Sequence, residues 1–166
     1  GNRNIALGEK SLDANTTGYA NIALGYNALL NNTNGYSNIA HGYNALKNFK
    51  SNKNIAIGDR AGYKVVAGAD NIAIGTNALS AYGNGGSVGE RNIALGFNAL
   101  YNNCGGSQNI AQGYNALKCN TCGTHNIAQG FGALKNNRTA GGNIAMGYNA
   151  LVCNLYGRCN VAIGIT

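Results

Sequence analysis

All five cysteines of the chain lie in its C-terminal half: Cys104, Cys119, Cys122, Cys153 and Cys159. Cys119 and Cys122 have the C-x-x-C spacing of a zinc or redox pair. A structural zinc site takes four ligands, normally as paired motifs, and here the second pair is missing. Disulfide chemistry fits the spacing better. Laid out on the repeat described below, Cys104 and Cys122 fall on successive units at neighbouring positions, within the Cα separation that a disulfide spans. Cys153 and Cys159 share one inter-repeat loop and form a second candidate pair. Cys119 is then left as an unpaired or intermolecular thiol. Such bridges imply an oxidising compartment.

The remaining residues that could do chemistry are dispersed. The five acids, Glu9, Asp13, Asp59, Asp70 and Glu90, are scattered, which argues against a catalytic carboxylate pair. His41 and His125 stand at different repeat positions with no carboxylate beside them, so neither metal binding nor acid–base catalysis is expected. An enzyme is the last of the readings considered, and no cofactor or metal is expected. Aromatics recur at one repeat position: Tyr26, Tyr43, Phe97, Tyr114, Phe131 and Tyr148. Their rings could form a stacking platform for sugars, or a corner ladder packed ring on ring between coils, and the ladder is the favoured reading. Asp59 and Thr76 interrupt the series. Lys47, Lys118 and Lys135 share a further position and complete a set of surface-binding candidates. Asn15-Thr-Thr, Asn31-Asn-Thr and Asn137-Arg-Thr are N-glycosylation sequons, each placed in a loop.

These residues are positioned by an internal repeat that runs the length of the chain. Asn-Ile-Ala begins at Asn4, Asn21, Asn38, Asn54, Asn71, Asn92, Asn109, Asn126 and Asn143, and Asn160 opens a variant, Asn-Val-Ala. Most steps are 17 residues, with one of 16 (Asn38 to Asn54) and one of 21 (Asn71 to Asn92). The extra residues fall in a Gly/Ser stretch near 82–89, an insertion loop expected outside the packed frame. With the first Asn as register 0, register 1 is always β-branched, register 2 always Ala and register 4 always Gly. Register 8 is Leu except at Gly62. Register 3 is aliphatic except at His41, Gln112 and Gln129.

Alternation of Ile and an aliphatic with Ala and Gly is the period-two signature of a strand. The Ala-Leu at registers 7 and 8 reads as a second short strand or a single helical turn, of which the strand is favoured. One such unit cannot bury its own apolar face, whereas stacked units share a core. The expected fold is all-β: a parallel β-solenoid, or β-roll, of ten coils in a single domain over residues 1–166. At one strand spacing per coil it makes a rod roughly 48 Å long. Columns of Ile, Leu and Asn should run along it, Asn because each amide can bond the one a coil away. The Ala and Gly columns need a steric cause. Either the opposite wall of the coil or a neighbouring chain comes close, or glycine supplies a positive φ at a corner.

Composition points away from several function classes. Charged residues are only 10% of the chain, glycine numbers 26, and proline and tryptophan are absent. The net charge of +7 reflects the shortage of acids. It favours anionic glycans over nucleic acid, for which no reading module is present. No apolar stretch reaches the ~18 residues of a membrane span.

The units Asn54 to Gly58 and Asn71 to Gly75, both Asn-Ile-Ala-Ile-Gly, resemble the Ser-Val-Ala-Ile-Gly units of trimeric autotransporter adhesin heads. The nine-residue form is closer still to the Asn-Thr-Ala-Val-Gly-Tyr-x-Ala-Leu repeats of phage and viral tail fibres and related bacterial surface proteins. It stands here at Asn21 to Leu29, Asn92 to Leu100, Asn109 to Leu117 and Asn143 to Leu151. The resemblance implies a parallel β-roll, commonly trimeric, serving as a stalk or in attachment.

The expected role is a structural fibre or surface-appendage segment, extracellular, on a cell surface or on a virion. Its partner is itself, laterally or end to end, because both termini are bare repeats and uncapped strand edges template further pairing. The alternative is an attachment module for carbohydrate or a host surface. Ice binding ranks below both, since Thr is sparse and out of register.

Overall fold

The computed structural model describes residues 1–64, 66–81 and 87–165. It is an all-β parallel solenoid with no helix among the described residues. Ten three-residue strands form one sheet in chain order: β1 Ile5–Leu7, β2 Ile22–Leu24, β3 Ile39–His41, β4 Ile55–Ile57 and β5 Ile72–Ile74, then β6 Ile93–Leu95, β7 Ile110–Gln112, β8 Ile127–Gln129, β9 Ile144–Met146 and β10 Val161–Ile163. Every neighbouring pair is parallel and in phase, Ile on Ile and Ala on Ala. The 16-residue and 21-residue steps keep that phase, pairing Ile39 with Ile55 and Ile72 with Ile93.

The Ala column faces inward. Ala23, Ala40, Ala56, Ala94, Ala111 and Ala128 have no exposed surface, and across the coil they meet the register-7 alanines, such as Ala28, Ala99, Ala116 and Ala133, equally buried. Of the two steric causes expected for register 2, the opposite wall of the coil is therefore the one at work. The coil is so thin that only methyl groups fit between its walls. Leu29, Leu100, Leu117 and Leu134 of register 8 fill the wider part of the section.

Registers 7 and 8 are not a second strand. They lie in a tight turn that closes the coil, and it is held by bonds between coils, as from Leu117 N to Ala133 O at 3.0 Å. Three of its residues have positive φ. Asn98 and Leu100 sit near +54° and +51°, in the left-handed region that Asn tolerates and Leu normally avoids. Gly62, the exception to Leu, takes the same conformation at φ 63. The third is the register-4 glycine, with φ 132 at Gly96. A Cβ on Gly96 would also lie 2.6 Å from the carbonyl oxygen of Gly113 in the next coil. The positive φ anticipated for this glycine holds, and the close approach comes from the stacked coil rather than from the opposite wall or a neighbouring chain.

Two asparagine ladders hold the section shut. In the expected one, Asn109 N and Nδ2 both donate to Asn92 Oδ1, at 3.0 and 3.2 Å, and Nδ2 also donates to Gly123 O at 2.8 Å. The second runs at register 11, where Asn120 Nδ2 donates to Asn103 Oδ1 at 2.8 Å and to Gly123 O at 3.0 Å. In the regular coils the two ladders thus converge on one carbonyl, and their buried amides find partners without a water.

Of the insertion loop near 82–89, residues 82–86 lie outside the described residues. Its return is part of the frame rather than outside it: Val88 is fully buried and its carbonyl accepts from Asn103 Nδ2 at 2.6 Å.

Candidate functional site: the outward sheet face and the aromatic corner

Since Ala points inward, the alternate strand residues point out. The outer face of the sheet carries two ranks along the rod. Register 1 is Ile throughout, closing with Val161. Register 3 is Leu7, Leu24, His41, Ile57, Ile74, Leu95, Gln112, Gln129, Met146 and Ile163. Within the sheet Ile110 is 38% exposed and Ile57 and Ile74 are each 39% exposed. A rank of β-branched side chains on solvent is the reverse of the usual sheet.

One register beyond the glycine, the aromatic side chains also point outward, and they stack. Phe97, Tyr114, Phe131 and Tyr148 form a continuous ladder with centroids 5.2, 5.0 and 5.1 Å apart and planes within 10°. Tyr26 and Tyr43 form a shorter one at 5.5 Å. Within each run the ring faces are covered by neighbouring rings, so solvent meets ring edges. The corner-ladder reading holds there, and a sugar cannot stack on Tyr114 or Phe131. A further pair, Tyr19 and Tyr36, stacks at 4.9 Å on another corner. Its signal was the 17-residue spacing of two tyrosines outside the main aromatic register.

The lysine candidates are half-buried and do not converge. Lys118 and Lys135 occupy adjacent coils, and Lys47 lies apart with its ammonium 5.8 Å from the ring centroid of Tyr63. Such a contact holds the lysine stem against the rod.

All five cysteines are free thiols, which corrects the expected pairings of Cys104 with Cys122 and Cys153 with Cys159. Cys104 and Cys122 differ by one register in a bent segment, and although their thiols lie near enough to influence one another, the Cys104 thiol is turned to a carbonyl of its own coil. Cys104 Sγ lies 3.3 Å from the Asn102 carbonyl oxygen instead. Cys153 and Cys159 line separate surface hollows, one with Leu151 and Val152, the other with His125 and Arg158. Partial burial, and then the nearby Cys122 thiol, push the Cys104 thiol above its ordinary value. Cys119 is half-buried, and the other four are exposed.

Of the sequons, Asn15 and Asn137 belong to the second ladder, and Asn31 lies one register before it. Asn137 is fully buried, and the nitrogen that would carry a glycan donates to Asn120 Oδ1 at 2.8 Å and Ala140 O at 3.0 Å. It is a frame residue and not a loop acceptor. Asn15 Nδ2 donates to Gly18 O and Asn31 Nδ2 to Asn48 Oδ1, at 3.0 and 2.7 Å, and both residues are half-buried. Among the described residues no three His, Cys, Asp or Glu side chains are grouped to hold a metal ion. No helix among them is long and apolar enough to cross a membrane.

The arrangement presents a largely apolar sheet face, broken at His41, Gln112 and Gln129, a corner of ring edges, and a surface hollow lined by Cys122, His125, Arg158 and Cys159. No family model, curated protein or solved structure matches the chain.

Proposed function

We propose that this chain is a segment of a structural fibre or surface appendage, extracellular or on a virion, whose rods associate side by side through the outer sheet face. One observation carries the reading: ten in-phase strands turn Ile and aliphatic side chains outward and only Ala inward. The ranks at registers 1 and 3, with the aromatic corner, span about 13 Å across the rod and about 43 Å along it, an area on the order of 600 Å². That equals the largest apolar patches seen on ordinary monomers and approaches the roughly 800 Å² per partner of a standard interface. Each further coil adds about 60 Å². Adhesion therefore grows with rod length, as a lateral fibre contact requires.

Sedimentation equilibrium at tens of micromolar tests the proposal. The chain is expected to form a discrete or higher oligomer, and the outward triple variant Ile93→Thr/Ile110→Thr/Ile127→Thr to sediment as a monomer with unchanged circular dichroism. A monodisperse wild-type monomer would refute the lateral contact.

A further inference from the structure

The aromatic ladder stops at Tyr43 and resumes at Phe97, leaving two rungs without a ring. Asp59 and Thr76 occupy them. The backbone beneath the gap is uninterrupted: Arg60 N donates to Tyr43 O at 2.9 Å, Asn77 N to Asp59 O at 2.9 Å, and Asn98 N to Thr76 O at 3.1 Å. The two rings are therefore three strand spacings apart, about 14 Å, which leaves a slot about 11 Å wide once ring thickness is removed. Rings within each run keep their planes within 10° of one another, so the slot has two aromatic walls set across the rod axis.

The floor is polar. Asp59 Oδ1 is buried and makes no hydrogen bond, lying 3.8 Å from Arg60 Nε. The Asp59 side chain is nonetheless 42% exposed, which leaves Oδ2 open to accept. The Arg60 side chain, 49% exposed, offers donors beside it, and the half-buried Thr76 hydroxyl can do either.

From this geometry we infer that the gap is a binding site for a pyranose sugar. The apolar C–H face of the ring lies on Tyr43 or Phe97, and its rim of hydroxyls meets the Asp59 carboxylate and the Arg60 guanidinium. A flat aromatic ligand would stack equally well but would leave the carboxylate without hydrogen bonds. A lone ammonium would sit beside the Arg60 guanidinium, whose like charge opposes it. Tyr26 and Glu9 repeat the pairing of ring and carboxylate, but with a single wall. Because the walls stand across the rod, a bound glycan chain crosses the rod axis instead of following it. This site is separate from the lateral face and does not depend on the fibre reading.

The test uses the full chain and three probes, the α-1,4 and β-1,4 glucose trisaccharides and the α-1,4 galacturonate trisaccharide, titrated by calorimetry and saturation-transfer NMR. At least one probe is expected to bind. Tyr43→Ala and Asp59→Asn should each weaken that binding about ten-fold, whereas Tyr114→Ala, at a ring covered on both faces, should change it less than about two-fold. The pair Asp59→Tyr/Thr76→Phe supplies the missing rungs and should abolish binding while raising thermal stability. The inference is overturned if none of the probes binds, if Tyr114→Ala weakens binding as much as Tyr43→Ala, or if the folded ladder-filled variant still binds.

Discussion

Coils 6 to 9, from Asn92 to Cys159, and coils 3 to 5, from Asn38 to Arg91, obey different degrees of regularity. The later coils keep both asparagine ladders, the register-8 leucines and the unbroken run from Phe97 to Tyr148, and depart from the pattern at Gln112, Gln129 and Gly132. The earlier ones include the 16-residue coil and the 21-residue step, put Phe49 where the second ladder has Asn, and Gly62 where register 8 has Leu. They also lose the aromatic rungs at Asp59 and Thr76. Yet β3 to β6 stay in register, and the first ladder continues through Asn54, Asn71 and Asn92 at 2.9 to 3.0 Å. Registers 0, 2 and 4 are thus obligatory and register 1 stays β-branched, while the other columns tolerate exchange. An Asn can be replaced by a buried ring where its neighbours in the column are not both amides, because no orphaned partner is left behind.

The largest effect should therefore be the same in both regions. Gly96→Val and Gly75→Val each place a side chain against the next coil's glycine backbone, at φ 132 and 124. Each is expected to cost about 3–5 kcal/mol, read as a drop in urea midpoint. A mild effect at Gly75 would show that the irregular coils are looser than their hydrogen bonds imply.

Next in size, Asn109→Ala removes donors to two coils and leaves the Asn126 backbone and side-chain N–H groups without their acceptor. About 2–4 kcal/mol is expected. Asn120→Ala, in the replaceable column, should cost less, about 1–3 kcal/mol. The order of the two separates an obligatory column from a tolerant one, and denaturant titration checks it.

Phe131→Ala breaks a rung with neighbours on both faces and should cost about 1 kcal/mol beyond its lost burial. Tyr26→Ala, with one stacked neighbour, should cost about half that on the same measurement.

The smallest expected effect is chemical. With its thiol pushed up by partial burial and by Cys122, Cys104 carries less thiolate at pH 8 than an ordinary exposed cysteine. Its alkylation should lag behind that of a cysteine in a short unstructured peptide, and the lag should close as pH rises. Peptide mapping of a timed iodoacetamide reaction would read it.

Much of the frame was legible in the residues. Nine Asn-Ile-Ala units and one Asn-Val-Ala, with Gly at register 4, announce strand positions, coil number and phase, and unequal steps localise the loops. The inward face was not legible, because period-two alternation marks two faces without saying which is inside. Hydrophobicity alone favours Ile; the thinness of the coil decides for Ala, and that comes from the closing turn. The second ladder was visible as Asn-x-x-Gly, at Asn103 to Gly106 and Asn120 to Gly123, but two other members of its column, Asn15 and Asn137, read as sequons. The turn at registers 7 and 8 escaped because it needs Leu in a left-handed conformation that propensity argues against. Pairing cysteines by register arithmetic failed, since proximity of backbones says nothing about the direction of side chains. The ladder gap could be seen as an interruption, though only stacking geometry makes its two ring faces the uncovered ones.

The claim beneath all of this is that residues one repeat apart lie directly over one another, with register 3 turned outward. Spin labels at Gln112 and Gln129, in a background with the five native cysteines replaced by Ser, test it most directly. Their backbones are partners on adjacent strands, about 4.8 Å apart. The expected spectrum is strongly broadened by spin–spin interaction, and the broadening persists when the labelled chain is diluted into excess unlabelled protein. Sharp, uncoupled lines from the doubly labelled chain would contradict in-phase stacking.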